Sequence, residues 1–123
     1  MAKHNQLGRS GEELASSYLQ AKGYEILARN YRFKRAEIDI IAQLGKLLVF
    51  IEVKTRGSDK HGFPEEFVST RKVNLFLLAA DEYIYQHNWQ HDIRFDIISL
   101  TATSSGEFSI HHVEDAFHWI AAC

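Results

Sequence analysis

Asp39, Glu52 and Lys54 are the residues of this chain whose types and spacing are best suited to chemistry. Leu47-Leu48-Val49-Phe50-Ile51-Glu52-Val53-Lys54 reads as a buried β-strand that ends with an acid and a base two residues apart. Side chains alternate along a strand, so Glu52 and Lys54 share a face, about 6.5–7 Å apart along the chain. A carboxylate and an ammonium seldom enter an apolar sheet unless they are paired or bind something. Two carboxylates with waters suit a hard divalent cation, Mg2+ or Mn2+. Such an ion acidifies a bound water and neutralises charge growing on a phosphoryl oxygen. Lys54 beside it would orient or deprotonate the attacking water, or offset phosphate charge. The pieces add up to phosphodiester hydrolysis. The plainer alternative is an ion pair between Glu52 and Lys54 at a strand end. Acids embedded in two apolar strands joined by a short turn weigh against it.

Glu37-Ile38-Asp39-Ile40-Ile41-Ala42 is a second apolar strand carrying acids, and Gln43-Leu44-Gly45-Lys46 turns it into the Glu52 strand. A four-residue turn pairs Ala42 with Leu47 and sets Asp39 opposite Phe50, with Glu52 its diagonal neighbour. A slip of one residue would send Asp39 to the other face. Residues 9–22 have helical spacing, with Gly11, Leu14, Ala15, Tyr18 and Leu19 on one stripe and Gly23 as the stop. Glu12 falls at the edge of that stripe and Glu13 toward solvent, so Glu12 is a third carboxylate within reach of a metal shell. Its plainer role is favourable charge in a first helical turn.

Two basic clusters flank the trio. Arg32, Lys34 and Arg35 lie with Arg29 on and after a strand beginning at Tyr24. Arg56 and Lys60 lie in the glycine-containing segment after the Glu52 strand. They are candidate phosphate contacts or solvated charge. A further helix starts near Ser69 or Thr70 and runs to about His87, with Val73, Phe76, Leu77, Ala80, Tyr83 and Ile84 facing the core. Arg71 and Lys72 sit in its first turn, where the helix dipole disfavours cations unless an anion lies nearby. Lys72 joins the nucleic-acid-binding candidates.

The order Gly8-Arg9-Ser10-Gly11-Glu12, Gly23 through Arg32, Glu37 through Ala42, Phe50 through Arg56 and Arg94-Phe95-Asp96-Ile97-Ile98 resembles the uncharacterised bacterial YraN family across almost the whole chain. That family is similar in turn to archaeal Holliday-junction resolvases and to PD-(D/E)xK, restriction-endonuclease-like nucleases. The length of 123 residues fits a single domain over residues 1–123, and the resemblance implies that it is α/β, with a restriction-endonuclease-like mixed central β-sheet flanked by α-helices. It also implies a metal held by Asp39 and Glu52, Lys54 as the motif lysine, and Glu12 as the helix acid of the resolvases. Ala36 departs from the family's usual Gly before Glu-Ile-Asp.

Composition bounds the rest. The chain has 123 residues, one proline and one cysteine, Cys123, which cannot form an internal disulfide. With no apolar signal core and no transmembrane stretch, a cytoplasmic protein with no membrane partner is the expectation. The formal charge is −2, unlike a typical DNA binder. The distribution is asymmetric, however: residues 1–72 carry 13 Lys/Arg against 9 Asp/Glu, and residues 73–123 carry 1 against 7. The basic half holds the candidate site, which suggests one face for phosphate and another for solvent or a partner; nucleic acid, DNA first, is the partner that the resemblance to nucleases implies. Paired cutting of branched DNA would need a homodimer. Two other classes stay open: a metal-free accessory binder in DNA processing or uptake, and an interaction module docking through its acidic half. Asp96 is read as a structural ion pair or hydrogen bond. The histidines, including His87, His91 and His112, are read as solvent-exposed rather than zinc-binding. Residues 93–100 and 108–113 are read as strands, and residues 115–120 as a short amphipathic helix.

Overall fold

The computed structural model describes residues 3–56 and 70–117, with side chains from Gly11 onward. In chain order these form α1 (Lys3–Ala21), β1 (Glu25–Phe33), β2 (Ala36–Leu44), β3 (Leu47–Arg56), α2 (Thr70–His87), β4 (Asp92–Ala102) and β5 (Phe108–Val113). The five strands make one mixed sheet in the order β1-β2-β3-β4-β5. All neighbours are antiparallel except β3 and β4, which run parallel. Parallel neighbours need a crossover, and α2 supplies it. The fold is thus the expected α/β arrangement, a mixed sheet flanked by helices.

Alternation along the strands divides the apolar residues into two cores. Leu48 and Phe50 of β3 and Phe95 and Ile97 of β4 pack beneath α2 with Val73, Phe76, Leu77 and Ala80. Val49 and Ile51, with Ile98 and Leu100, pack beneath α1 with Ala15 and Leu19. The two helices therefore cover opposite faces of the sheet.

α1 ends as its sequence requires. Gly23 adopts φ 97°, and the amides of Gly23 and Tyr24 donate to the carbonyls of Gln20 and Leu19, a Schellman stop. Leu14 is 40% exposed, whereas Ser16 is buried. The buried stripe is thus rotated toward Gly11, Ala15 and Leu19, the side that faces β3. At Gly11 the helix backbone runs close against β3. A Cβ there would lie 2.3 Å from Thr55 Oγ1 and 3.2 Å from Leu100 Cδ1. Gly11→Ala would raise helix propensity by about 1 kcal/mol at an open site. Here it is expected to destabilise by about 1–3 kcal/mol through overpacking. Urea denaturation checks this, and a net gain in stability would show that α1 can lift off β3 without loss.

The β2–β3 turn is shorter than the expected four residues. Leu44 pairs with Leu47, and Ala42 with Val49, leaving Gly45 (φ 61°) and Lys46 as a two-residue hairpin turn. Asp39 accordingly falls not opposite Phe50 but two positions further along, level with Glu52. A slide of two preserves the face, so the expected side of the sheet stands although the register differs. The segment expected as a helix over 115–120 is a turn and bend over Glu114–Phe117, with Asp115 at φ 57°. Its remainder lies outside the described residues.

Candidate functional site

The β2–β3 ladder stops at Ile40–Ile51, while β3 stays paired with β4 through Arg56. At that stop Asp39 replaces a backbone partner: its Oδ2 accepts a hydrogen bond from the Val53 amide at 2.8 Å. Alternation along β2 also breaks here. Ile38 and Ile41 both lie under α2, and Ile40 lies under α1. On the neighbouring strand Asn30 takes φ 55°. The irregularity lets an apolar strand keep its core residues buried on both faces while aiming a carboxylate at the gap where β2 and β3 part.

That gap is a cavity of about 360 Å3, lined by Asp39, Glu52, Glu37, Ala36 and Arg35 from the sheet side and by Arg71, Lys72, Leu75 and Phe76 from α2. Glu52 is 5% exposed and is held by two ammonium groups. Lys72 Nζ lies 2.7 Å and Lys54 Nζ 3.4 Å from the same oxygen, Oε2. Burial, and then repulsion from Glu52, push the Asp39 carboxyl up to about 7, against its hydrogen bond from Val53. Burial and the neighbouring Lys72 lower the pKa of Lys54. Burial also works against the Lys72 ammonium, but its hydrogen bonds with Glu52 and Lys54 and the charge of Glu52 outweigh it and hold its pKa above the lysine norm. The more easily deprotonated amine is therefore Lys54. Two acids at close quarters beside a lysine of lowered pKa are the residue types that could hold a divalent cation and orient a water.

The other expected site residues are placed unevenly. Glu12 sits on the α1 side in an ion pair with Arg29 at 3.6 Å, and its charge adds to the upward push on Asp39. Arg35 lines the cavity. Arg32 instead pairs with Glu37 at 3.6 Å, and Lys34, at φ 57° in the β1–β2 turn, lies over the Phe33 ring. Arg56 ends β3, and Lys60 lies outside the described residues. Ala36 is buried and not at positive φ, so the missing glycine imposes no strain on β2. Arg71 is the cavity residue that the sequence reading noted without selecting. Its place in the first turn of α2, next to Lys72, was the available signal.

A second polar cluster lies on the opposite face. Asp96 is wholly buried and accepts from Arg94 Nε and Nη2 (2.9 and 2.8 Å), from His112 Nε2 (2.7 Å) and from the Asp115 amide (3.0 Å). Arg94 also donates to the Tyr24 hydroxyl, and Tyr18 Oη lies 3.0 Å from His112 Nδ1. Burial alone would raise the Asp96 carboxyl, but the hydrogen bonds from His112, Arg94 and Asp115 outweigh it and hold it below the usual range. This is the structural role expected of Asp96. His112 corrects the expectation of an exposed histidine, because its side chain is only 6% exposed. It faces inward from an edge strand to meet a buried acid. His87 and His91 are exposed as expected. Among the described residues no three His, Cys, Asp or Glu side chains gather as a ready-made metal cage, and no helix is long and apolar enough to cross a membrane.

With this geometry in hand, comparison with known proteins decides the family. Residues 11–100 match the model of the Uncharacterised protein family UPF0102. The chain belongs to the UPF0102 family. This is the YraN-type family its sequence resembles. Its relatives include the UPF0102 protein FP2501 of Flavobacterium psychrophilum, 48% identical over 118 residues that span 96% of this chain and 98% of the relative. The UPF0102 proteins of Christiangramia forsetii and Chlorobium limicola are 43% and 48% identical, covering 97% and 90% of this chain and 99% and 91% of theirs. Among solved structures, "The structure of Pyrococcus Furiosus SfsA in complex with Ca2+" matches with a TM-score of 0.39 and 14% identity, over 90% of this chain and 63% of that one.

Proposed function

We propose that this UPF0102 protein is a divalent-metal-dependent nuclease that hydrolyses phosphodiester bonds in DNA. One observation carries the reading: Asp39 and Glu52 face one cavity, Lys54 reaches Glu52, and Arg35, Arg71 and Lys72 bring positive charge to the same place. The donor set fits Mg2+ or Mn2+, which take one or two carboxylates and complete their shell with water and phosphate oxygens. Burial and then repulsion from Glu52 raise Asp39, and a bound cation would relieve that repulsion. Asp39 and Glu52 would hold the ion, and Glu12 would act from the outer shell through its charge. When bound, the ion supplies Lewis acidity and charge neutralisation at phosphorus. Lys54 orients the water and offsets charge on the phosphate, and Arg35 and Arg71 clamp that phosphate. The Val53 amide fixes Asp39, so the carboxylate is positioned before substrate arrives. Branched DNA, cut as a pair of strands, would draw on two such sites in a homodimer.

The test is cleavage of labelled four-way junction, flap, single-stranded and linear duplex DNA with Mg2+ or Mn2+. Lys54→Ala and Glu52→Gln are each expected to lower the rate at least about 10²-fold while leaving the thermal transition in place. Binding of DNA without cleavage of any substrate would favour the accessory binder. Absence of salt-sensitive DNA binding would favour the interaction module.

A further inference from the structure

Lys72 is a second cation on a carboxylate that already has one. Its Nζ is closer to Glu52 Oε2 than that of Lys54, 2.7 against 3.4 Å, on the same oxygen. It comes from α2, across the cavity from the sheet, and its side chain is 44% exposed while that of Lys54 is 23% exposed. With Asp39 and Glu52 ionised, the two lysines make the cluster electrically neutral. A divalent ion added to that set would leave two net positive charges in a mostly buried place, and one of the two Glu52 oxygens, Oε2, is already held by both ammonium groups. The strain is relieved if one ammonium leaves. Lys54 stands on β3 two residues from Glu52, whereas Lys72 lines the cavity from α2 and its side chain is the more exposed of the two.

We propose that Lys72 is a tethered stand-in cation, which holds Glu52 in the metal-free protein and is displaced into the cavity when a divalent ion binds. This rests on the metal-binding reading above and adds a regulation to it. The displaced ammonium joins Arg71 and Arg35 in a cavity whose remaining acid, Glu37, is paired with Arg32, so a phosphodiester is the anion these three cations would take. Metal and phosphate therefore favour each other's binding, and metal alone binds weakly.

The experiment is Mn2+ titration of the full chain by calorimetry and electron paramagnetic resonance, comparing wild type, Lys72→Met and Arg71→Met. Removing the competitor should tighten Mn2+ binding about tenfold or more in Lys72→Met. Arg71→Met removes the same charge from the same cavity without freeing Glu52, and should change affinity less than about threefold. Equal affinity in all three, or equal tightening in both variants, overturns the displacement and leaves the metal site standing. No Mn2+ binding in any of them overturns the metal reading as well. Wild type supplies a readout independent of mutation. The lysine ammonium 15N–1H signal of Lys72 should be slow to exchange without metal and lost or shifted on adding Mg2+, and an unchanged signal at Mg2+ saturation overturns the proposal.

Discussion

Asp96→Ala is expected to destabilise the protein by about 3–5 kcal/mol, the range for removing one partner of a buried ion pair. The side chain is fully buried, and its two oxygens satisfy Arg94 twice, His112 once and the Asp115 amide once. Without it, a guanidinium with only 18% of its side chain exposed keeps Tyr24 and a longer contact to Glu114 at 3.6 Å, and the His112 ring faces a void. Asp96→Asn should fall between the variant and wild type, since an amide oxygen can accept but its nitrogen cannot. Urea denaturation at neutral pH measures the difference. A loss below about 1 kcal/mol would show that Arg94 and His112 find water instead. The carboxyl is held low, so its contribution is complete above its ordinary value near 3.8 and is lost as pH falls below that.

Asp39→Asn is expected to do the opposite and stabilise the metal-free protein at neutral and alkaline pH. The folded-state carboxyl is raised from 3.8 to about 7, so the native state holds a proton that the unfolded chain has released. Below pH 4 both states are protonated, and the substitution should change little. Between pH 4 and 7 the wild type loses stability as pH rises, and above 7 the deficit is constant. Three pKa units set a ceiling of about 4 kcal/mol, and relaxation around the carboxylate should reduce it to about 2–4. Asparagine can still accept the Val53 amide through its side-chain oxygen, so the strand ends are preserved. Thermal melts from pH 4 to 8 in the presence of a chelator give the test. A difference between variant and wild type that does not grow with pH would mean that Asp39 is ionised throughout.

Much of this was legible in the sequence because period and register carry it. Apolar runs fixed β2 and β3, helical spacing fixed α2 from Thr70 to His87, and the two-residue period put Glu52 and Lys54 on one face. The turn between β2 and β3 was misjudged because both Gln43 and Leu44 can either continue a strand or start a loop. The Leu44–Leu47 pair decides for the strand. Leu14 was assigned to the core on spacing alone. The close approach at Gly11 that rotates α1 is a tertiary contact, which no local pattern announces. His112 was misjudged for the same reason: its partner Asp96 lies on another strand, and neither residue's neighbours reveal the pairing. The double hold on Glu52 was half legible. Lys54 follows from alternation, but Lys72 arrives from a helix whose angle to the sheet is set only by packing.

The contact between Tyr18 and His112 joins residues 94 apart in sequence, while the β2–β3 hairpin closes through two. Bringing distant segments together costs loop entropy that is recovered only once both are ordered, so such contacts form late on the way to the native state. Interactions absent from the folding transition state leave the folding rate alone and slow the reverse step. The bond between Tyr18 and His112 ties α1 to the edge strand β5, and its loss is expected to speed unfolding more than it slows folding.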